Sequence, residues 1–277
     1  MKHLLFLLFM AVITLGASPL ILNLDVSYPS HLQGVAADET GLYFSFTDVL
    51  VKTDYKGKVL KEFKYVPHMG DLCIVDGDLF VATQFRSQPH LAANGNRKSA
   101  VLQISTDLEL KKIHPLDISR GVDGITFCNG KFYMAPDYGR EPKIETGIML
   151  FDRNFKLLKE IRFKTGANIK FGAQTLTTVK GGILAAFYDD SKGAFIFEPE
   201  TWKIIGQADI KPATGFTPIP EKIAGRKNIY MIGGLKGKRG DWKIYGRTVT
   251  LTDEFKTVNF SLPGNKNNNK QNNNIIK

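Results

Sequence analysis

From about residue 31 to 262 the chain is filled by short runs that alternate apolar and polar residues, each ending in a tight-turn signal. One such unit runs from Val51 through Asp54 and Gly57 to Val59. Its pattern returns in Val101–Leu110, Ile148–Leu157, Ala194–Ile204 and Arg247–Thr257. Each copy predicts a strand, a polar turn and a second strand, with side chains alternating between two faces. Another hairpin lies upstream of each copy. Asp76-Gly77 and Asn129-Gly130 mark the two clearest ones, because Asp, Asn and Gly tolerate the positive φ of the tight hairpin turns. Looser versions turn at Gly41, at Gly181-Gly182 and within Ala224–Ile232.

Two hairpins make four strands, and four-stranded units about 50 residues apart are the blades of a β-propeller. The chain is therefore expected to be all-β, a propeller of about five four-stranded blades, with six blades as the alternative. Helical periodicity is nearly absent, which excludes a helical solenoid. A β-sandwich, built from similar strands, is the competing architecture. Leu20–Asp25 is expected to add an outer strand to the last blade, closing the ring and hiding an open edge.

Three features recur in order: a Gly-hydrophobic inner strand (Gly34-Val35, Gly124-Ile125), a strand such as Leu79–Ala82 after an Asp-Gly turn, and a hairpin such as Val51–Lys58. This order resembles the broad superfamily of NHL, YVTN and SMP-30/gluconolactonase-like propellers. It does so over nearly the whole chain after its first residues. The resemblance implies the fold, which enzymes and pure binders share. For an SMP-30-like enzyme it further implies a divalent cation such as calcium at the channel, polarising a carbonyl or activating water. Asp71 and Asp123 would then be its ligands.

The ends add a compartment. Met1-Lys2-His3, the apolar run Leu4–Leu15 and Gly16-Ala17-Ser18 read as a secretory signal peptide over residues 1–17, so a secreted or periplasmic protein is expected. The apolar run falls short of the roughly 20 residues that cross a bilayer, and no membrane span is expected. Residues 18–263 form the expected propeller domain, and 264–277, rich in Asn and Lys, an expected disordered tail. The net charge of +10 is spread without an aromatic-interleaved basic patch. It points to anionic surfaces or glycans and not to nucleic acid. A monomer is expected. Cys73 and Cys128 both sit in apolar strand patterns, so one bridge or two buried thiols fit, and neither has a partner at zinc-ligand spacing.

Candidate chemistry gathers where the inner strands begin, because propeller ligands collect at a channel mouth. Register puts His31 and His68 at equivalent positions and Gln33, Asp123 and Gln174 on one inward-facing ring, with Gly70 leaving a gap. Asp123 and Asp71 are the candidate metal or general-base carboxylates, and His31 or His68 the candidate proton carrier. Gln33 and Gln174 are candidate ligand-binding amides, although a water-filled channel would hold polar residues in any case. Same-face loops add Arg86, Tyr138, Tyr188 and Trp242 as candidate ligand contacts, since rings stack on sugars and Arg clamps acids. His90 and His114 read as bystanders. Nucleophile-elbow, dinucleotide and P-loop motifs are missing. The reading is a secreted propeller that binds a small molecule, an anionic or carbohydrate ligand, at its mouth. The alternative is a divalent-metal-dependent hydrolase or lactonase.

Overall fold

A computed structural model describes residues 21–65, 68–84, 99–139, 143–187, 194–208, 210, 215–238 and 241–259. After a first strand, β1 (Ile21–Tyr28), the chain lays down five antiparallel blades in sequence order. Blade 1 is β2 (Leu32–Asp38), β3 (Gly41–Phe46), β4 (Val49–Thr53) and β5 (Val59–Lys64). Blade 2 is β6 (His68–Val75), β7 (Asp78–Gln84), β8 (Ser99–Ser105) and β9 (Leu110–Pro115). Blade 3 follows as β10 (Val122–Cys128), β11 (Lys131–Pro136), β12 (Lys143–Phe151) and β13 (Leu157–Ile169). Blade 4 is β14 (Ala173–Val179), β15 (Gly182–Phe187), β16 (Ala194–Phe197) and β17 (Ile204–Ala208). Blade 5 contains β18 (Phe216–Pro218), the single turn α1 (Glu221–Ala224), β19 (Ile229–Lys238), β20 (Asp241–Leu251) and β21 (Thr257–Asn259). The five-bladed propeller expected from the repeats is the fold.

The two ends of the described chain close the ring on one strand. β1 pairs with the outer edge of β20, from Ile21 opposite Arg247 to Tyr28 opposite Trp242. Farther along the same edge, β21 pairs Asn259 with Val249 and Thr257 with Leu251. The closing strand expected at Leu20–Asp25 thus runs on to Tyr28. The hydroxyl of Tyr28 donates to Glu62 in β5 at 2.7 Å, tying blade 5 to blade 1.

Strand alternation explains the core, because both faces of every blade are covered. In β3, Leu42 and Phe44 pack against Ile229 and Met231 of blade 5, while Tyr43 turns to blade 2. In β7, Phe80 and Ala82 face Phe132 and Met134 of blade 3.

A second device keys the blades together. The turns before the outer strands of blades 2 to 5 place Leu108, Phe155, Trp202 and Phe255 in the left-handed region, at φ 57°, 62°, 59° and 61°. A backbone bond closes each turn, as from Phe155 N to Asp152 O at 3.1 Å. Left-handed backbone costs an L-residue about 1–2 kcal/mol, and packing offsets it. Trp202 meets Tyr133 of blade 3 at 5.3 Å between ring centroids, and Phe155 meets Phe80 of blade 2 at 6.0 Å.

Candidate functional site

The inner strands of blades 1 to 4 share one irregularity. Pairing jumps from Leu32–Phe46 to Gly34–Ser45 in blade 1 and from Met69–Thr83 to Leu72–Val81 in blade 2. It jumps from Val122–Pro136 to Ile125–Met134 in blade 3 and from Ala173–Phe187 to Thr175–Ala186 in blade 4. Each jump is a β-bulge, whose extra residue bends the strand and re-aims a side chain. The bulges fall at Gln33, at Gly70-Asp71, at Asp123-Gly124 and at Gln174. β18 pairs without a jump. The polar ring expected from register is therefore built by a repeated bulge.

Gln33, Asp123 and Gln174 from these bulges form two hydrogen-bonded polar groups that face each other across the β6–β7 ladder, together making a polar arc. Gln33 Nε2 lies 2.8 Å from Nε2 of His31 and 3.1 Å from Nε2 of His68. With an amide nitrogen between them, both ring nitrogens act as acceptors. His68 is opposite Gln84 across the β6–β7 ladder. Gln84 donates to one oxygen of Asp123, and Gln174 donates to the other at 3.1 Å. Gln33, Asp123, Gln174 and Gln84 are nearly buried, whereas His31 is exposed and His68 half-buried. The arc spans blades 1 to 4, with imidazoles at its outer end and a carboxylate gripped by two amides at its inner end.

Asp71 lies elsewhere, deeper along the axis. It occupies the position that Gly34, Gly124 and Thr175 hold in neighbouring blades. Its Oδ2 accepts the backbone N–H of Leu176 at 2.9 Å and of Ile125 at 3.4 Å. A Cβ on Gly34 would lie 2.4 Å from Asp71 Oδ1, so glycine makes the room this carboxylate uses. At Gly70 a Cβ would lie 2.6 Å from the carbonyl oxygen of Asp123, so blades 2 and 3 close together there. Burial pushes the Asp71 carboxyl well above the usual range; backbone bonds from Leu176, Leu72 and Ile125 pull against it, and the charge of Asp123 adds to the rise. On the far side of Asp71, a cavity of about 140 Å³ is lined by all five inner strands, including Ala37, Cys73, Thr126, Thr177 and Thr217. Asp71 thus stands between this cavity and the mouth.

The remaining candidates divide. Tyr138 is on the flank of blade 3, its ring 5.1 Å from the guanidinium of Arg120 and its hydroxyl 3.5 Å from Glu160. Arg120 and Arg162 both bond the same Glu160, at 3.0 and 3.1 Å. Arg86 and Tyr188 lie outside the described residues, as does the side chain of Trp242, whose backbone belongs to β20. Cys73 and Cys128 are free thiols. Among the described residues no three His, Cys, Asp or Glu side chains are grouped to share a metal ion. Gln84 escaped the sequence reading, although it ends β7 at the mouth, where Thr47 and Asp137 stand in blades 1 and 3.

No family model matches the chain, and no curated protein matches it in sequence. Solved structures do match. A glutaminyl cyclase from Myxococcus xanthus superposes with a TM-score of 0.58 at 12% identity, covering 85% of this chain and 97% of its own. A protein of unknown function from Bacteroides caccae superposes with a TM-score of 0.51 at 14% identity, covering 89% of this chain and 94% of its own. At such identities the likeness is one of fold. The chain is similar to these proteins as a β-propeller.

Proposed function

We propose that the chain is a binding propeller whose mouth takes a small carbohydrate-type ligand. The observation that carries this reading is the Gln84–Asp123–Gln174 grip beside the His31–Gln33–His68 group. Planar amide, imidazole and carboxylate groups bond pairs of adjacent hydroxyls, and here they are held by one another before any ligand arrives. Preorganisation of that kind lowers the ordering cost of binding. The carboxylate of Asp123 accepts from ligand hydroxyls, and the amides serve as donor or acceptor.

A saturation-transfer NMR screen of mono- and disaccharides against the chain tests this. At least one sugar should show transfer that is lost in Asp123→Asn and in Gln33→Leu. Absence of transfer from every sugar would sink the reading.

One observation favours a second reading. Asp123 is a carboxylate at the mouth with two imidazoles on the same arc, a set that moves protons. Together with the fold likeness to a glutaminyl cyclase, it supports testing an amine-to-amide cyclisation. In that reaction the amine attacks the side-chain carbonyl, ammonia leaves, and Asp123 carries the proton between them. Ammonia release from a peptide with N-terminal Gln, abolished in Asp123→Asn, would favour this activity over binding alone.

A further inference from the structure

The groove between blades 2 and 3 has a phenylalanine where both its neighbours have a tyrosine that bonds across to the next blade. Between blades 1 and 2, the hydroxyl of Tyr43 donates to Thr106 O at 3.2 Å, in the turn of the next blade. Between blades 3 and 4, Tyr133 donates to Pro199 O at 3.4 Å in the same way. The equivalent residue of blade 2 is Phe80, opposite Cys73 and Gln103 as Tyr43 is opposite Ala36 and Lys52. Phe80 has no hydroxyl to reach the turn. At this groove a cavity of about 220 Å³ opens to the surface.

Its inner wall is aromatic. Phe80 and Phe132 stand 5.0 Å apart between centroids, Phe132 and Phe155 4.6 Å, and His114 and Phe155 4.5 Å. The rim is polar, and its donors are already engaged. Gln103 Nε2 donates to Asp78 at 2.7 Å, and Arg153 donates to Asp76 at 2.7 Å. His114 Nε2 lies 3.0 Å from Gln103 Oε1, an acceptor, so that nitrogen carries the proton and Nδ1 is left as an acceptor. Burial, with a smaller push from Lys112, lowers the pKa of His114 and keeps the ring neutral. Burial works against ionisation of Asp78, but bonds from Lys111 and Gln103 outweigh it and hold its carboxyl below the usual range. Each rim carboxylate already pairs with a cation of the protein, Asp76 with Arg153 at 2.7 Å and Asp78 with Lys111 at 2.5 Å, and keeps further lone pairs beside the ring faces.

We propose that this groove is a second binding site, for a small molecule that joins an aromatic body to a protonated amine. The body fills the space beside Phe80 and Phe155, and the ammonium meets ring faces and the carboxylates of Asp76 and Asp78. The protein's own Arg153 shows the preference. Its guanidinium sits 4.8 Å over the ring of Phe127 while bonding Asp76. A cavity of about 150 Å³ already admits benzene, so a phenyl ring with a short amine arm fits. The site is formed by residues separate from the polar arc at the mouth and does not depend on what binds there.

The test is a titration of the 15N-labelled chain with 2-phenylethylammonium chloride, followed by backbone amide shifts, with 2-phenylethanol as the neutral control. The ammonium probe should move resonances around Val75, Asp78, Phe127 and Phe155 and bind at least tenfold more tightly than the alcohol. Phe80→Tyr supplies the missing hydroxyl and Phe155→Trp fills the space as Trp202 does one blade on. Both should fold and weaken the probe at least tenfold. No shifts in this groove at millimolar probe, equal affinity for the alcohol, or undiminished binding in both variants would overturn the proposal.

Discussion

The carboxylate of Asp71, in blade 2, accepts the backbone N–H of Leu176, in blade 4, at 2.9 Å. It also accepts from Ile125 in blade 3 and rests in the space left by Gly34 in blade 1. One side chain therefore ties four of the five inner strands at the axis, directly beneath the bulges that aim Asp123 and Gln174 into the mouth.

That position makes stability depend on pH. Asp71 titrates near pH 4 in the unfolded chain and well above its ordinary value when folded, because it is buried. Between those two pKa values the folded protein keeps a proton that the unfolded chain has released. The stabilisation is complete below the unfolded pKa and is lost as pH rises through the folded one. Urea unfolding of wild type should show stability falling over that window, and Asp71→Asn should flatten the fall. Equal pH slopes in the two proteins would show that Asp71 is not the group responsible.

Gly34→Ala tests the fit from the other side. The added Cβ would lie 2.4 Å from Asp71 Oδ1 and 2.7 Å from its Cα. Overpacking of this kind costs about 1–3 kcal/mol, measurable as a lowered urea midpoint. An unchanged midpoint would mean that blades 1 and 2 do not meet so closely.

The keys between blades carry much of the core. Trp202 is 5% exposed and packs against Tyr133, Phe163 and Phe197. Trp202→Ala should cost about 3–5 kcal/mol, whereas Trp202→Phe, matching the residue of blade 3, should cost much less. Equal losses from both would argue against a packing role.

Much of this architecture was legible beforehand, and particular residues show why. Hairpin signals such as Asp76-Gly77 and Asn129-Gly130 are local, so the blades and the closing strand could be read from the chain. Gly70 was rightly placed as a gap between Gln33, Asp123 and Gln174, because register alone fixes that level. The bulges escaped the reading although they leave a mark: Leu32 and Val35, Met69 and Leu72, Val122 and Ile125, and Ala173 and Leu176 each share one packed face at a spacing of three in place of two. Asp71 read as a candidate carboxylate near the axis, and it lies one level below Asp123 under three backbone N–H groups. Tyr138 lies on a flank because Arg120 and Glu160, distant in sequence, draw it there. His114 read as a bystander, because its aromatic neighbours come from two blades.

Ring closure can be probed at Tyr28, whose hydroxyl bonds Glu62. Tyr28→Phe should lower stability by about 0.5–1.5 kcal/mol. A chain beginning at Ser30 should melt at lower temperature and aggregate, because part of the edge of β20 is then bare. A truncated chain as stable as the full one would contradict closure by β1.

The polar arc at the mouth is the proposed ligand site. Calorimetric titration of the best sugar from the screen into wild type, Gln33→Leu and Asp123→Asn tests it most directly. Wild type should bind with a single site, and each variant should lose at least tenfold in affinity, about 1.4 kcal/mol, while melting close to wild type. Binding that persists unchanged in both variants would contradict the account and move the ligand away from Gln33 and Asp123.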